Sequence, residues 1–186
     1  MEKIPEFSKL FIVNVVVMFF VTLLKLPSVI GNYSSPANNG LSGSLFGPAI
    51  TAIIAAFVLF VQAFFLGYGG LTTLGANVFA IGIVGPLAAC IVYNVARKLG
   101  VPDFVSLIFA VFYANLFSAL TSTLQLTLAF GILTKFMKFF VTMFVSQIPL
   151  IVVDMVVSVV VFVIFSKIFT DSKLFSLELN DFFKLR

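Results

Sequence analysis

The chain has 186 residues with a formal net charge of +4; 61% of the residues are hydrophobic and only 10% are charged. No Asp, Glu, Lys or Arg occurs from Leu26 to Ala96, from Phe104 to Thr134 or from Phe139 to Val153. A water-soluble domain carries about 25% charged residues, so this composition excludes a soluble enzyme and fits a chain whose outer faces meet lipid. With no histidine and the single cysteine Cys90, there is no His-based triad, no His-ligated metal, no Cys pair for zinc and no internal disulfide. The modest positive charge suits a membrane surface and calls for no nucleic acid partner.

A transmembrane helix needs about 20 apolar residues. Leu10 to Leu26 is the first candidate, slightly short, with Lys9 and Lys25 able to snorkel at its ends. It follows a charged start without a clean small-residue cleavage site, so no signal peptide is expected. The turn-forming stretch Gly31-Asn-Tyr-Ser-Ser-Pro-Ala-Asn-Asn-Gly40, continued by Leu41-Ser-Gly-Ser44, cannot face lipid. Leu45 to Leu66 is the second span, broken by Gly67-Tyr-Gly-Gly70. Leu71 to Ala96 is the third, interrupted by Gly82, Gly85 and Pro86, and a wet loop with Arg97, Lys98 and Asp103 follows. Phe104 to Phe130 is the fourth span, with a loop holding Lys135 and Lys138 beyond it. Phe139 to Phe165 is the last, with a kink expected at Pro149.

The expected fold is an all-α, polytopic transmembrane bundle of five spans, or six if one long run is split. It comprises an N-terminal segment (1–9), the bundle (10–167) and a charged amphipathic tail (168–186). With five spans, seven basic residues (Lys25, Arg97, Lys98 and those of the tail) fall on one side and four on the other. That bias favours a cytoplasmic C-terminus in a multi-pass protein of the cell membrane. A short echo, Leu45-Phe-Gly-Pro-Ala49 against Ile83-Val-Gly-Pro-Leu87, places Pro at the start of a helical stretch in each copy. Two copies are too few to establish a repeat.

Polar residues at membrane depth are costly and so mark function or helix contacts. Asp154 is the sharpest, the only acid between Phe139 and Ser166. Ionised, it wants a cation, a Lys or a water-filled cavity; otherwise it stays protonated or bonds a neighbouring helix. Gln62, Asn77, Asn115, Gln125 and Gln147 either bond between helices or line a substrate cavity. The run Gly67-Tyr-Gly-Gly-Leu-Thr-Thr-Leu-Gly-Ala-Asn77 reads equally as close packing or as a contact at a helix break. It is not a phosphate loop, since no Gly-Lys-Ser/Thr follows.

Several stretches resemble the CbiM/NikM family, the substrate-binding components of energy-coupling factor transporters for cobalt and nickel. They are Leu24-Lys-Leu-Pro-Ser-Val-Ile-Gly31, Ser34-Ser-Pro36 with Gly40, Leu45-Phe-Gly-Pro-Ala49, Gln62-Ala63, Gly69-Gly-Leu-Thr-Thr-Leu-Gly-Ala-Asn77, Val84-Gly-Pro86, Thr121-Ser-Thr-Leu-Gln125 and Ser146-Gln-Ile-Pro-Leu150, with Asp154 where the family usually has an acid. The order is kept from Leu24 to Lys167. The resemblance implies a membrane subunit that captures a divalent cation as substrate, holds no cofactor of its own, and works with a transmembrane coupling protein and a pair of ABC-type ATPases. It implies Ser35, Tyr68 and Asn77 as the substrate region and Asp154 as a polar pivot or charge partner.

The departures bear on the substrate. The family begins Met-His, whereas this chain begins Met1-Glu2-Lys3, and the family's first helix is expected to lack a counterpart. The family's histidine in a Ser-His-Pro context is Ser35 here, and the one before Gly-Gly is Tyr68. Nickel and cobalt favour nitrogen ligands, so oxygen donors in their place make a harder, weaker site for those ions. Two classes of function follow: a transport subunit that captures a small cation, or a degenerate membrane subunit that assembles with the transporter without binding. A membrane-embedded enzyme is the third reading, and no catalytic constellation speaks for it.

Overall fold

The structure, a computed structural model, describes residues 3–23, 26–27, 33–34, 37–67, 70–131 and 133–169. Its helices are α1 (Lys3–Leu23), α2 (Asn39–Phe65), α3 (Leu74–Asn77), α4 (Gly85–Lys98), α5 (Asp103–Ala129) and α6 (Phe136–Phe169). A π-helical segment, Val78–Val84, joins α3 to α4, so Leu74–Lys98 is one apolar rod. Among the described residues four helices are long and apolar enough to cross a membrane, and Phe11–Leu23 is a shorter apolar one. The chain is an all-α, multi-pass membrane bundle. Its outward faces carry large apolar side chains such as Phe57, Phe64, Leu128 and Val152, as lipid requires.

The stretch between α1 and α2 is not simply a polar loop. Two-residue strands β1 (Leu26–Pro27) and β2 (Tyr33–Ser34) pair antiparallel, with Leu26 opposite Ser34. Then α2 begins at Asn39, ahead of the expected Leu45, and Asn39 to Ser44 are all buried. A segment of small and polar residues forms helix here because it lies among other helices rather than against lipid. At Gly47 the helix breaks: φ 80° and ψ 167° is a backbone that only glycine adopts freely. Pro48 restarts the helix where its missing N–H leaves nothing unpaired. The Thr51 hydroxyl donates to the Gly47 carbonyl (2.8 Å), satisfying an acceptor at the break.

Close approach sets the packing around that buried segment. A Cβ added to Gly40 would lie 2.5 Å from Val111 Cα of α5, and one added to Gly43 would lie 2.6 Å from Pro86 Cα of α4. Helices in lipid associate through such small-residue contacts, because no hydrophobic force drives them together. The core gathers Leu41, Ala89, Tyr93, Leu107, Val111, Ala114 and Phe162 from α2, α4, α5 and α6. A second cluster, Met18, Ile54, Ala55 and Val58, fastens α1 to α2.

The third span keeps its helical path through Gly82, Gly85 and Pro86 by widening. The Gly85 N–H bonds the Ala80 carbonyl, five residues back. In that register Pro86 faces Ile81 but has no N–H to give. The turn from α4 to α5 is closed by an Arg97–Asp103 ion pair. These charges also suit the helix termini they occupy, basic at the end of α4 and acidic at the start of α5. α6 runs as a single helix with Pro149 inside it. Residues 170–186, most of the expected amphipathic tail, lie outside the described residues.

Gly43→Ala is expected to destabilise the bundle by about 1–3 kcal/mol, because the new methyl meets Pro86 backbone that cannot swing away. Gly75→Ala, with nothing within 4 Å, should be neutral or gain up to about 1 kcal/mol. Thermal unfolding of both variants in one detergent checks the contrast.

Candidate functional site

The polar residues of the bundle converge where the head of α2 meets the π-helical segment, α5 and α6. Asp154 of α6 is fully buried. Its Oδ1 accepts the backbone N–H of Asn38 (3.0 Å), and its Oδ2 accepts from Asn115 Nδ2 (2.9 Å). The same Asn115 amide nitrogen also donates to the Val111 carbonyl (2.9 Å), which fixes its orientation. Asn38 has φ 50°, a left-handed conformation that asparagine tolerates better than most residues. That conformation turns its N–H toward α6 just before the helix starts.

Asn39 completes the other side of the hub. Its Nδ2 donates to the Ile81 carbonyl (3.2 Å), the acceptor that Pro86 leaves without a backbone donor. It also donates to Ser118 Oγ (3.1 Å), and Ser118 donates in turn to the Ala80 carbonyl (3.0 Å). The wide turn of the third span is thus satisfied by side chains from α2 and α5. A Cβ at Gly85 would overlap Asn39 Nδ2 and Ser118 Oγ, so a side chain there would displace this hydrogen-bonded pair.

A second polar seam ties α1 to α2. Asn14 Nδ2 donates to Ser42 Oγ (2.9 Å), and Ser42 shares a hydrogen bond with Thr51 (3.0 Å). Lower on the same pair of helices, Gln62 Nε2 donates to Thr22 Oγ1 (2.6 Å).

The sequence-derived candidates divide accordingly. Asp154 and Asn115 meet in the hub, and Gln62 serves the α1–α2 seam. Asn77 is half-buried at the end of α3, and its side chain takes no part in the hub. Gln125 and Gln147 are half-buried and donate no hydrogen bond to another described residue. Ser35 and Tyr68 lie outside the described residues. Asn38, Asn39, Ser118, Ser158 and Asn14 were not singled out by the sequence. Asn38 and Asn39 read as turn formers, although Asp154 and Ser158, one helical turn apart, carry a signal of one polar face. Among the described residues no group of three His, Cys, Asp or Glu could hold a metal ion.

The family described as CbiM, cobalt uptake substrate-specific transmembrane region, matches residues 8–172. The chain belongs to that family. A putative cobalt transport protein CbiM of Methanocaldococcus jannaschii is 49% identical over 115 residues, covering 62% of this chain and 49% of that protein. The cobalt transport protein CbiM of Anoxybacillus flavithermus is 40% identical over 116 residues, covering 62% of this chain and 46% of that protein. The match thus spans about half the length of these CbiM relatives. A crystal structure of a transition metal transporter superposes with a TM-score of 0.77 at 20% identity, covering 94% of this chain and 82% of that one. At that identity the likeness concerns the fold. In this CbiM-family chain the Asn38–Asp154 contact ties the head of α2 to α6.

Asn39→Ala is expected to cost about 1–3 kcal/mol, because the half-buried Ile81 carbonyl loses its side-chain donor and the buried bond to Ser118 is lost. Asn77→Ala should change stability by less than about 0.5 kcal/mol. Chemical or thermal unfolding of the two purified variants measures both.

Proposed function

We propose that this chain is the substrate-capturing membrane subunit of an energy-coupling factor uptake transporter for a transition-metal cation of cobalt or nickel type. The observation that carries the reading is the family match over residues 8–172. The bundle's likeness to a transition metal transporter over 94% of the chain supports the fold on which that reading depends. A coupling membrane protein and ABC-type ATPases would supply the energy, since the sequence holds no Gly-Lys-Ser/Thr phosphate loop. No catalytic step is assigned to the chain itself.

The geometry supports a rigid capture platform. The polar stretch that contains Ser35 leads into a buried helix head, and Asp154 fixes that head three residues further on. Ser35, Tyr68 and Asn77 are the proposed substrate region, with Asp154 positioning the helix that follows Ser35. One observation favours a second reading, a subunit that assembles without binding: the chain has no histidine, the side chain nickel and cobalt prefer.

Co-expression with coupling and ATPase subunits, followed by radiolabelled cobalt and nickel uptake, tests the proposal. Wild type is expected to raise uptake above cells lacking it. Tyr68→Ala and Ser35→Ala should each lower uptake about tenfold or more at unchanged membrane abundance, the effect of one lost ligand of roughly 1.4 kcal/mol. Absence of both bound metal and uptake in wild type would leave the non-binding subunit as the function.

A further inference from the structure

We propose that Asp154, Asn38 and Ser158 seat a small monovalent cation of the sodium class inside the bundle, separate from any transported metal. The site rests on buried oxygens that the fold leaves unused. Each oxygen of an ionised carboxylate offers two acceptor directions. Asp154 spends one on the Asn38 N–H and one on Asn115, so capacity remains on both oxygens. The Asn38 N–H bond places that residue directly against the carboxylate. The Asn38 side chain is fully buried, and neither its Oδ1 nor its Nδ2 has a hydrogen-bond partner.

Ser158 lies one helical turn beyond Asp154, on the same face of α6. It too is fully buried, and its hydroxyl has no partner. At six other helical positions in this bundle the hydroxyls turn back onto their own helix. Those of Ser44, Thr51, Thr121, Thr123, Thr127 and Thr142 each donate to the carbonyl four residues earlier. Ser158 departs from that habit beside the only acid between Lys138 and Lys167. Unfilled buried polar atoms call for a guest; here they belong to the residue whose N–H bonds the carboxylate and to one a helical turn from it.

Charge selects the guest. Asn38, Asn115 and Ser158 are neutral. No Lys or Arg occurs in the sequence from Leu26 to Ala96, from Phe104 to Thr134 or from Phe139 to Ser166. A monovalent cation brings the cluster to neutrality. With Asp154 ionised, a divalent ion would leave a net positive charge at membrane depth, and water would supply no countercharge. The donors are all oxygens, which suit a hard cation and not the nitrogen-seeking metals of the family. Because the carboxylate joins α6 to the head of α2, an occupied site braces those two helices.

The test is thermal unfolding of the purified full chain in detergent, with sodium chloride replacing choline chloride at constant ionic strength. Wild type should gain a saturable rise in Tm with sodium. Asp154→Asn, which keeps the shape and removes the charge, should abolish the sodium-dependent rise. Ser158→Ala, a milder change that keeps the helix, should raise the half-saturating sodium concentration roughly tenfold, the loss of about 1.4 kcal/mol of binding. Equal Tm in sodium and choline would overturn the proposal. So would a sodium response that survives unchanged in both variants. A Tm rise with cobalt or nickel chloride that Asp154→Asn removes, without one from sodium, would place the transported metal here and also overturn it. Cobalt uptake is scored separately, so a non-transporting chain with an intact sodium response leaves this site standing.

Discussion

The carboxylate of Asp154 holds the N–H of Asn38, and through it the point at which the chain turns from the α1–α2 connection into a buried helix. Much of the site's geometry follows from that contact. Asn38 can present its N–H to α6 because it adopts a left-handed backbone, and the next residue then starts α2 inside the bundle. Asn39 is thereby delivered to the third span, and Asn115 joins the same carboxylate from α5. A single acid at membrane depth thus sets the relative placement of α2, α5 and α6. Removing it would leave two donors unpaired in a medium that supplies no replacement.

The third span shows how one local violation is repaired by its neighbours. Pro86 sits within an apolar rod that has to stay helical, because a bilayer accepts no unsatisfied backbone. The chain widens to a π-helical turn, and the displaced carbonyls of Ala80 and Ile81 take bonds from Ser118 and Asn39. Those side chains reach in only because Gly85 has no Cβ and because Gly40 and Gly43 let α2 lie close against α5 and α4. Glycine, proline and asparagine at these positions are one packing solution rather than separate features.

Family membership and donor chemistry pull in different directions. The match over residues 8–172 places the chain in the CbiM family. Yet the chain contains no histidine, and among the described residues the polar side chains buried in the interior are amides, hydroxyls and one carboxylate. Such a set holds helices together through hydrogen bonds and favours hard cations over soft ones. The interior hub is therefore better suited to bracing the fold, with its own small cation, than to gripping a transition metal.

The sequence by itself determined the solvent, the helical class and the approximate spans. Charge-free runs longer than 20 residues leave few other solutions, and Asp154, Asn115 and Gln62 stood out because polarity at membrane depth is costly. It did not reveal that Asn39 to Ser44 form a buried helix. Glycine, serine and asparagine in succession read as a turn unless a neighbouring helix is close enough to need their small size. Nor did it show that Asn38 meets Asp154, a contact across 116 positions. Local composition sets which residues avoid lipid. Only the tertiary structure decides which of them meet, because a backbone N–H in a left-handed turn and a carboxylate on a distant helix carry no pattern in common along the chain.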